Sequence, residues 1–117
     1  MSNETEKIII VEGLSDKKNV LPIINEPVQI VCTNGTISHE KLDEWSETFF
    51  DLDLYILVDE DRSGIQLRKQ LIREFPFATN IHISRDYKEV ACAPKKHLAQ
   101  ILAQANIDVF PEYLSGV

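Results

Sequence analysis

The chain has 117 residues, 44% hydrophobic and 26% charged, with a net charge of −7. That size and balance fit a single globular domain over residues 1–117, able to bury a core without disulfides or a structural metal. The acidic balance argues against stand-alone, high-affinity nucleic-acid binding, because phosphates are held by Lys and Arg. It leaves open a site where carboxylates hold a divalent cation, since the ion then dominates the local charge. The start lacks the basic and apolar regions of a signal peptide, and no apolar run approaches the roughly 20 residues of a membrane span. A cytoplasmic protein with no membrane contact is expected. Cys32 and Cys92 are too few and too far apart for a disulfide framework or zinc knuckle, and are expected to be buried free thiols.

The first apolar run, Lys7-Ile8-Ile9-Ile10-Val11, is continuous and β-branched, which suits a strand covered on both faces. Glu12-Gly13 ends it, and Ser15 or Asp16 can cap a helix toward Ile24, with Pro22 bending or shortening it. Val28–Cys32 is a second strand closed by the turn signal Thr33-Asn34-Gly35. Ser38 caps a helix through about Phe50, with Ile37, Leu42, Trp45 and Phe49 on its apolar side. Leu54–Val58 is the third strand, Ser63–Phe75 the third helix, and Pro76 its stop. Asn80–Ser84 is the fourth strand, Pro94 opens a helix over Lys95–Gln104, and Ile107–Pro111 forms a short strand or a packed tail. Such alternation predicts a Rossmann-like α/β three-layer sandwich: about four strands in a mainly parallel sheet, flanked by helices. Ligands in such sheets bind beyond the carboxyl ends of the strands, where the strand order reverses.

Two strands end in acid at that edge: Val11-Glu12-Gly13 and Val58-Asp59-Glu60-Asp61. If the first and third strands are neighbours, Glu12 faces Asp59 across one crevice. Alternation along a strand lets Asp59 and Asp61 point one way and Glu60 the other. Carboxylates from two adjoining strands make an all-oxygen site suited to Mg²⁺ or Mn²⁺. Gly13 and Gly64 allow close backbone approach to a ligand, and the third helix offers its N-terminal N–H groups to an anion. An Asp after a strand is also a common helix cap, so one of Asp59, Asp61 or Ser63 is expected to cap the third helix.

The segments Ile9-Ile10-Val11-Glu12-Gly13-Leu14-Ser15-Asp16 and Leu57-Val58-Asp59-Glu60-Asp61-Arg62-Ser63-Gly64 resemble the two signatures of the Toprim domain, the catalytic module of topoisomerases, bacterial primases, OLD-type nucleases and RecR-type proteins. Thr33-Asn34-Gly35 and Gly64–Lys69 are most similar to the ribonucleases that mature 5S ribosomal RNA, which carry an additional carboxyl-terminal region. The resemblance implies Glu12 as general acid or base and possible metal ligand, with Asp59 and Asp61 as the Mg²⁺-coordinating pair. It also implies that Gly13 and Gly64 shape the site and that Asp16 fills an acidic position of unassigned role, while Glu60 falls at a variable position without chemistry. No topoisomerase tyrosine, zinc-binding cysteines or ATPase segment accompanies these motifs.

Arg62, Arg68, Lys69 and Arg73 lie on the third helix, where a solvated face is the ordinary reading. Arg62 and Arg68 are the phosphate-contact candidates of the set. Lys95 and Lys96 open the fourth helix against its macrodipole, a weak pointer to a nearby anion. His39, His82 and His97 lack metal-ligand spacing and read as surface or hydrogen-bonded histidines. The expected function is Mg²⁺-dependent phosphotransfer on RNA or DNA, as a nuclease similar to the 5S-rRNA-maturing type. The alternatives are a non-catalytic RecR-type adaptor that keeps the metal pocket, with a protein partner supplying the missing basic surface, and a domain acting on a small phosphorylated ligand.

Overall fold

The computed structural model describes residues 6–115. Four strands, β1 (Lys7–Val11), β2 (Val28–Cys32), β3 (Asp53–Leu57) and β4 (Thr79–Ile81), form a sheet in the order β2-β1-β3-β4. All three pairings are parallel, with Ile10 beside Val31 on one side and Ile56 on the other. The order reverses between β1 and β3, so those two strands are neighbours and their carboxyl ends flank the switch point.

The helices are α1 (Leu14–Val20), α2 (His39–Thr48), α3 (Arg62–Glu74) and α4 (Lys95–Gln104). Alternation explains why the strands read as unbroken apolar runs. Ile9, Val11, Tyr55 and Leu57 pack with Val20 of α1 and Leu98 and Leu102 of α4. Ile8, Ile10, Ile56 and Val58 pack on the other face with Leu42 and Trp45 of α2 and Leu67 and Leu71 of α3. Both faces of the central strands are therefore dry, as a parallel sheet with crossovers on each side requires.

Local chemistry sets the boundaries. Ser38 caps α2 by accepting the Lys41 N–H at 3.1 Å. Asp61 caps α3 by accepting the Gly64 N–H at 2.8 Å. The first helix starts at Leu14, two residues earlier than a Ser15 cap would allow. Gly13 is its N-cap, and Asp16 closes the turn by accepting the Gly13 N–H at 2.9 Å. Pro22 ends α-helical geometry there, and a 3₁₀ turn over Leu21–Ile23 follows. The fourth strand stops at Ile81: Ile83 is buried, but Ser84 gives its N–H to His97 Nε2 at 3.0 Å rather than to a ladder. Near the end of the chain Val109 makes a single antiparallel bridge with Ile24, then Pro111–Tyr113 form a 3₁₀ turn. Cys32 is half-buried and Cys92 exposed, so the expectation of two buried thiols is corrected for Cys92, which lies in the surface segment before α4. Among the described residues no helix is long and apolar enough to cross a membrane.

Candidate functional site

Glu12 follows the last residue of β1, and Asp59 lies two residues beyond β3. Continuing the Ile10–Ile56 register sets Glu12 level with Val58 and Gly13 level with Asp59. The carboxylates feel one another. The Glu12 pKa is raised by burial first, then by the charges of Asp59, Asp61 and Asp16. Asp59 is also raised by burial, against the Val90 N–H that stabilises its charge, with further repulsion from Asp16, Asp61 and Glu89. Asp16 is 6% exposed, and burial raises its pKa while the Gly13 N–H pulls the other way.

Each aspartate is aimed by a backbone donor. Val90 gives its N–H to Asp59 Oδ1 at 2.8 Å, and Gly64 gives its N–H to Asp61 Oδ1, which also accepts the Ser63 hydroxyl at 3.2 Å. Among the described residues the second oxygen of each has no hydrogen bond. Glu12 Oε1 is buried and has no hydrogen-bond partner among the described residues. A buried carboxylate oxygen without a donor is expensive, and native structures reserve it for a place where something binds.

Among the described residues no three His, Cys, Asp or Glu side chains already stand close enough to grip a metal ion by themselves. The expected grip by Glu12, Asp59 and Asp61 together is therefore not formed among the described residues; Mg²⁺ usually takes one or two protein carboxylates and keeps several waters. The donor set, all oxygen with mutual repulsion and an orphaned atom, fits such a cation.

The two glycines differ. A Cβ on Gly64 would lie 2.0 Å from the Asp59 carbonyl oxygen, so α3 can approach the acidic turn this closely only without a side chain. Gly13 has an extended φ of −144°, and its added Cβ would meet only Asp16 Oδ2 at 3.9 Å. Nothing within the described residues demands glycine there.

One expected phosphate contact is corrected. Arg68 is 7% exposed, and its guanidinium is engaged inside the fold. It donates to Ile56 O at 3.3 Å, Asn80 Oδ1 at 2.9 Å, Ile81 O at 2.8 Å and Glu60 Oε2 at 3.5 Å. Four of its N–H groups are thereby spent inside the fold, on β3, β4 and Glu60. Lys95 Nζ donates to Asn19 Oδ1 at 2.6 Å and ties α4 to α1. Arg62 and Lys96 are exposed.

Glu60 is more than a residue at a neutral position. Its side chain turns away from the acid cluster, is 11% exposed and accepts from Arg68, and it stands 3.1 Å from His82 Nδ1. Sequence reasoning also missed the segment 88–93. Glu60 gives its N–H to Lys88 O at 2.7 Å, and Asn19 Nδ2 reaches Val90 O at 2.9 Å and Ala93 O at 3.0 Å. The one signal for Asn19 was an indifferent helix former within a short helix.

No family model matches this chain. Against curated proteins it is 52% identical over 112 residues to YusF of Bacillus subtilis strain 168, covering 96% of this chain and 77% of that one. It is 29% identical over 85 residues to Ribonuclease M5 of Fusobacterium nucleatum subsp. nucleatum, a match covering 73% of this chain and 46% of the ribonuclease. The solved structure of a small TOPRIM domain protein from Bacillus stearothermophilus superposes with a TM-score of 0.91 at 51% identity, covering 96% of this chain and 95% of that one. With half its residues identical and a matching fold over nearly the whole of both chains, the chain belongs to the Toprim family.

Proposed function

We propose that this protein is a Mg²⁺-dependent phosphotransfer domain acting on nucleic acid, as a nuclease. The observation that carries the reading is the buried, unpartnered Glu12 Oε1, whose carboxyl group feels the charges of Asp59 and Asp61 at the switch point. The Ribonuclease M5 likeness supports nucleic acid as the substrate class. Asp59 and Asp61 would hold the cation through the oxygens their backbone donors leave free. Bound there, Mg²⁺ supplies charge neutralisation for a phosphodiester under attack. Glu12 is suited to moving a proton at the attacking or leaving oxygen, because burial and its acidic neighbours hold its proton more tightly than an exposed glutamate would. Asp16 keeps the first turn of α1 in place behind Glu12 by fixing the Gly13 N–H.

The test is cleavage of structured RNA, single-stranded DNA and duplex DNA with Mg²⁺ or Mn²⁺ and with chelator. The expected result is metal-dependent cleavage that falls by about 10²–10⁴-fold in Glu12→Gln and is abolished in Asp59→Ala. Cleavage surviving both substitutions removes the assigned roles. The net charge of −7 favours a second reading, a binding or adaptor module that keeps the metal pocket while a partner supplies the basic surface. Metal binding without cleavage of any substrate selects it.

A further inference from the structure

The acidic edge needs something to hold the negatively charged backbone of its substrate, and two of the cations expected to do so are engaged elsewhere. A different donor stands next to it. His82 follows Ile81, the last residue of β4, and the Leu57–Ile81 register sets it level with Val58, immediately before Asp59. Its Nδ1 lies 3.1 Å from Glu60 Oε2. That carboxylate is paired with the Arg68 guanidinium, which Ile56 O, Ile81 O and Asn80 Oδ1 lock to the two strands. A carboxylate paired with Arg accepts and does not donate, so the imidazole carries its proton on Nδ1 and turns Nε2 outward. The His82 side chain is 57% exposed, and among the described residues Nε2 has no hydrogen bond. The free nitrogen of an exposed ring is thereby held in a fixed orientation by a chain of polar contacts anchored in the core. A histidine that merely decorated the surface would need no such anchoring.

We propose that His82 is a substrate-contacting residue, its Nε2 donating to a phosphate of the nucleic acid one strand away from the acidic cluster, with Glu60 and Arg68 as its positioning residues. The proposal rests on the nucleic-acid reading above. With its Nδ1 proton given to Glu60, donation from Nε2 requires a second ring proton taken from solvent, a form that the neighbouring phosphate and carboxylate both favour. Specificity for sequence is not expected from it, because a phosphate contact positions the strand without reading a base.

The experiment measures binding of short single-stranded RNA and DNA oligonucleotides in Mg²⁺ to wild type, His82→Ala, His82→Gln and Glu60→Gln, across a salt series. His82→Ala should weaken every oligonucleotide about equally, by roughly tenfold, the worth of one charge-assisted hydrogen bond. It should also flatten the slope of log K against log salt by about 0.7, the loss of one phosphate contact on a single strand. Glu60→Gln should lose less, and His82→Gln should recover part of the affinity but not the slope. In wild type the His82 imidazole resonances should move as the oligonucleotide binds. Wild-type binding with unmoved His82 resonances, or an unchanged slope in His82→Ala, overturns the proposal and leaves the nucleic-acid reading standing. Failure of wild type to bind any oligonucleotide overturns both.

Discussion

The two ends of the sheet invert the usual distribution of side chains. At the carboxyl end the groups withdrawn from water are acids: Asp16 is 6% exposed and Glu12 Oε1 is buried without a partner. At the amino end the groups in water are aromatic: Phe50 is 72% exposed and Phe77 98%. Those two rings border a cavity of about 560 Å³ whose wall includes Trp45, Phe49, Tyr55 and Phe75. Aromatic groups gather without specific partners, because burial is favourable in any orientation that excludes water. Acids gather only when hydrogen bonds and nearby backbone aim each one, and here the Val90, Gly64 and Gly13 N–H groups do so. The carboxyl end is thus held together against its own repulsion, while the amino end is held by packing. That asymmetry is why the proposed function is assigned to the first.

The sharpest way to break the comparison is at Gly64, where the acidic turn and α3 touch. Alanine would favour the helix by about 1 kcal/mol over glycine on propensity alone. The added Cβ would lie 2.0 Å from the Asp59 carbonyl oxygen, a backbone atom that cannot swing aside. Overpacking of this kind costs up to about 3 kcal/mol or more, so the clash wins and Gly64→Ala should destabilise the protein by about 2 kcal/mol or more. Urea unfolding would show the loss. Stability equal to wild type would mean that α3 can back away from Asp59 freely, and that the acidic turn is not held by close packing.

A smaller effect of opposite sign is expected at Glu12. Its folded-state pKa is raised, by burial first and then by Asp59, Asp61 and Asp16. The folded protein therefore binds this proton more tightly than the unfolded chain does. Stability is lost as pH rises from the ordinary glutamate value of 4.5 through the raised folded value, and the penalty persists at neutral pH. In metal-free buffer at neutral pH, Glu12→Gln should melt a few degrees above wild type, with the difference vanishing near the acid end of the range. Mg²⁺ should stabilise wild type by mass action and close the gap. Thermal melts with and without chelator check both statements, and a Glu12→Gln protein that melts below wild type in chelator contradicts them.

How much of this was readable beforehand depended on whether a residue acts through its neighbours in sequence or through the fold. The apolar runs at Lys7–Val11 and Leu54–Val58 announced strands buried on both faces, and the structure fills both faces as alternation requires. Glu12, Asp59 and Asp61 stood out because strand ends carry their own punctuation. Asp61 as a capping residue follows from positions a few residues apart, whereas the cap of α1 is Gly13 rather than the expected Ser15 or Asp16. Arg68 did not follow, since its partners Ile56, Asn80 and Ile81 come from two other strands. The same holds for Val90, which reaches Asp59 only because Asn19 fastens the segment before α4 from a distant helix. Strand β4 was read too long because Ile81 and Ile83 alternate correctly, yet the chain leaves the ladder to meet His97.

The smallest expected effect tests the other end. Phe77 sits between α3 and β4, just after Pro76, and borders the aromatic cavity with nearly all of its surface in water. Replacing an exposed ring removes little buried area, so Phe77→Ser should change stability by no more than about 0.5 kcal/mol. A fully packed phenylalanine in the same position would cost about 3–5 kcal/mol when truncated to alanine. The two values are far enough apart for one denaturation experiment to separate them. A loss above about 2 kcal/mol would show the ring folded into the cavity in solution. The amino end would then be an ordinary closed core, and exposure of large apolar groups would no longer distinguish it from the acidic end.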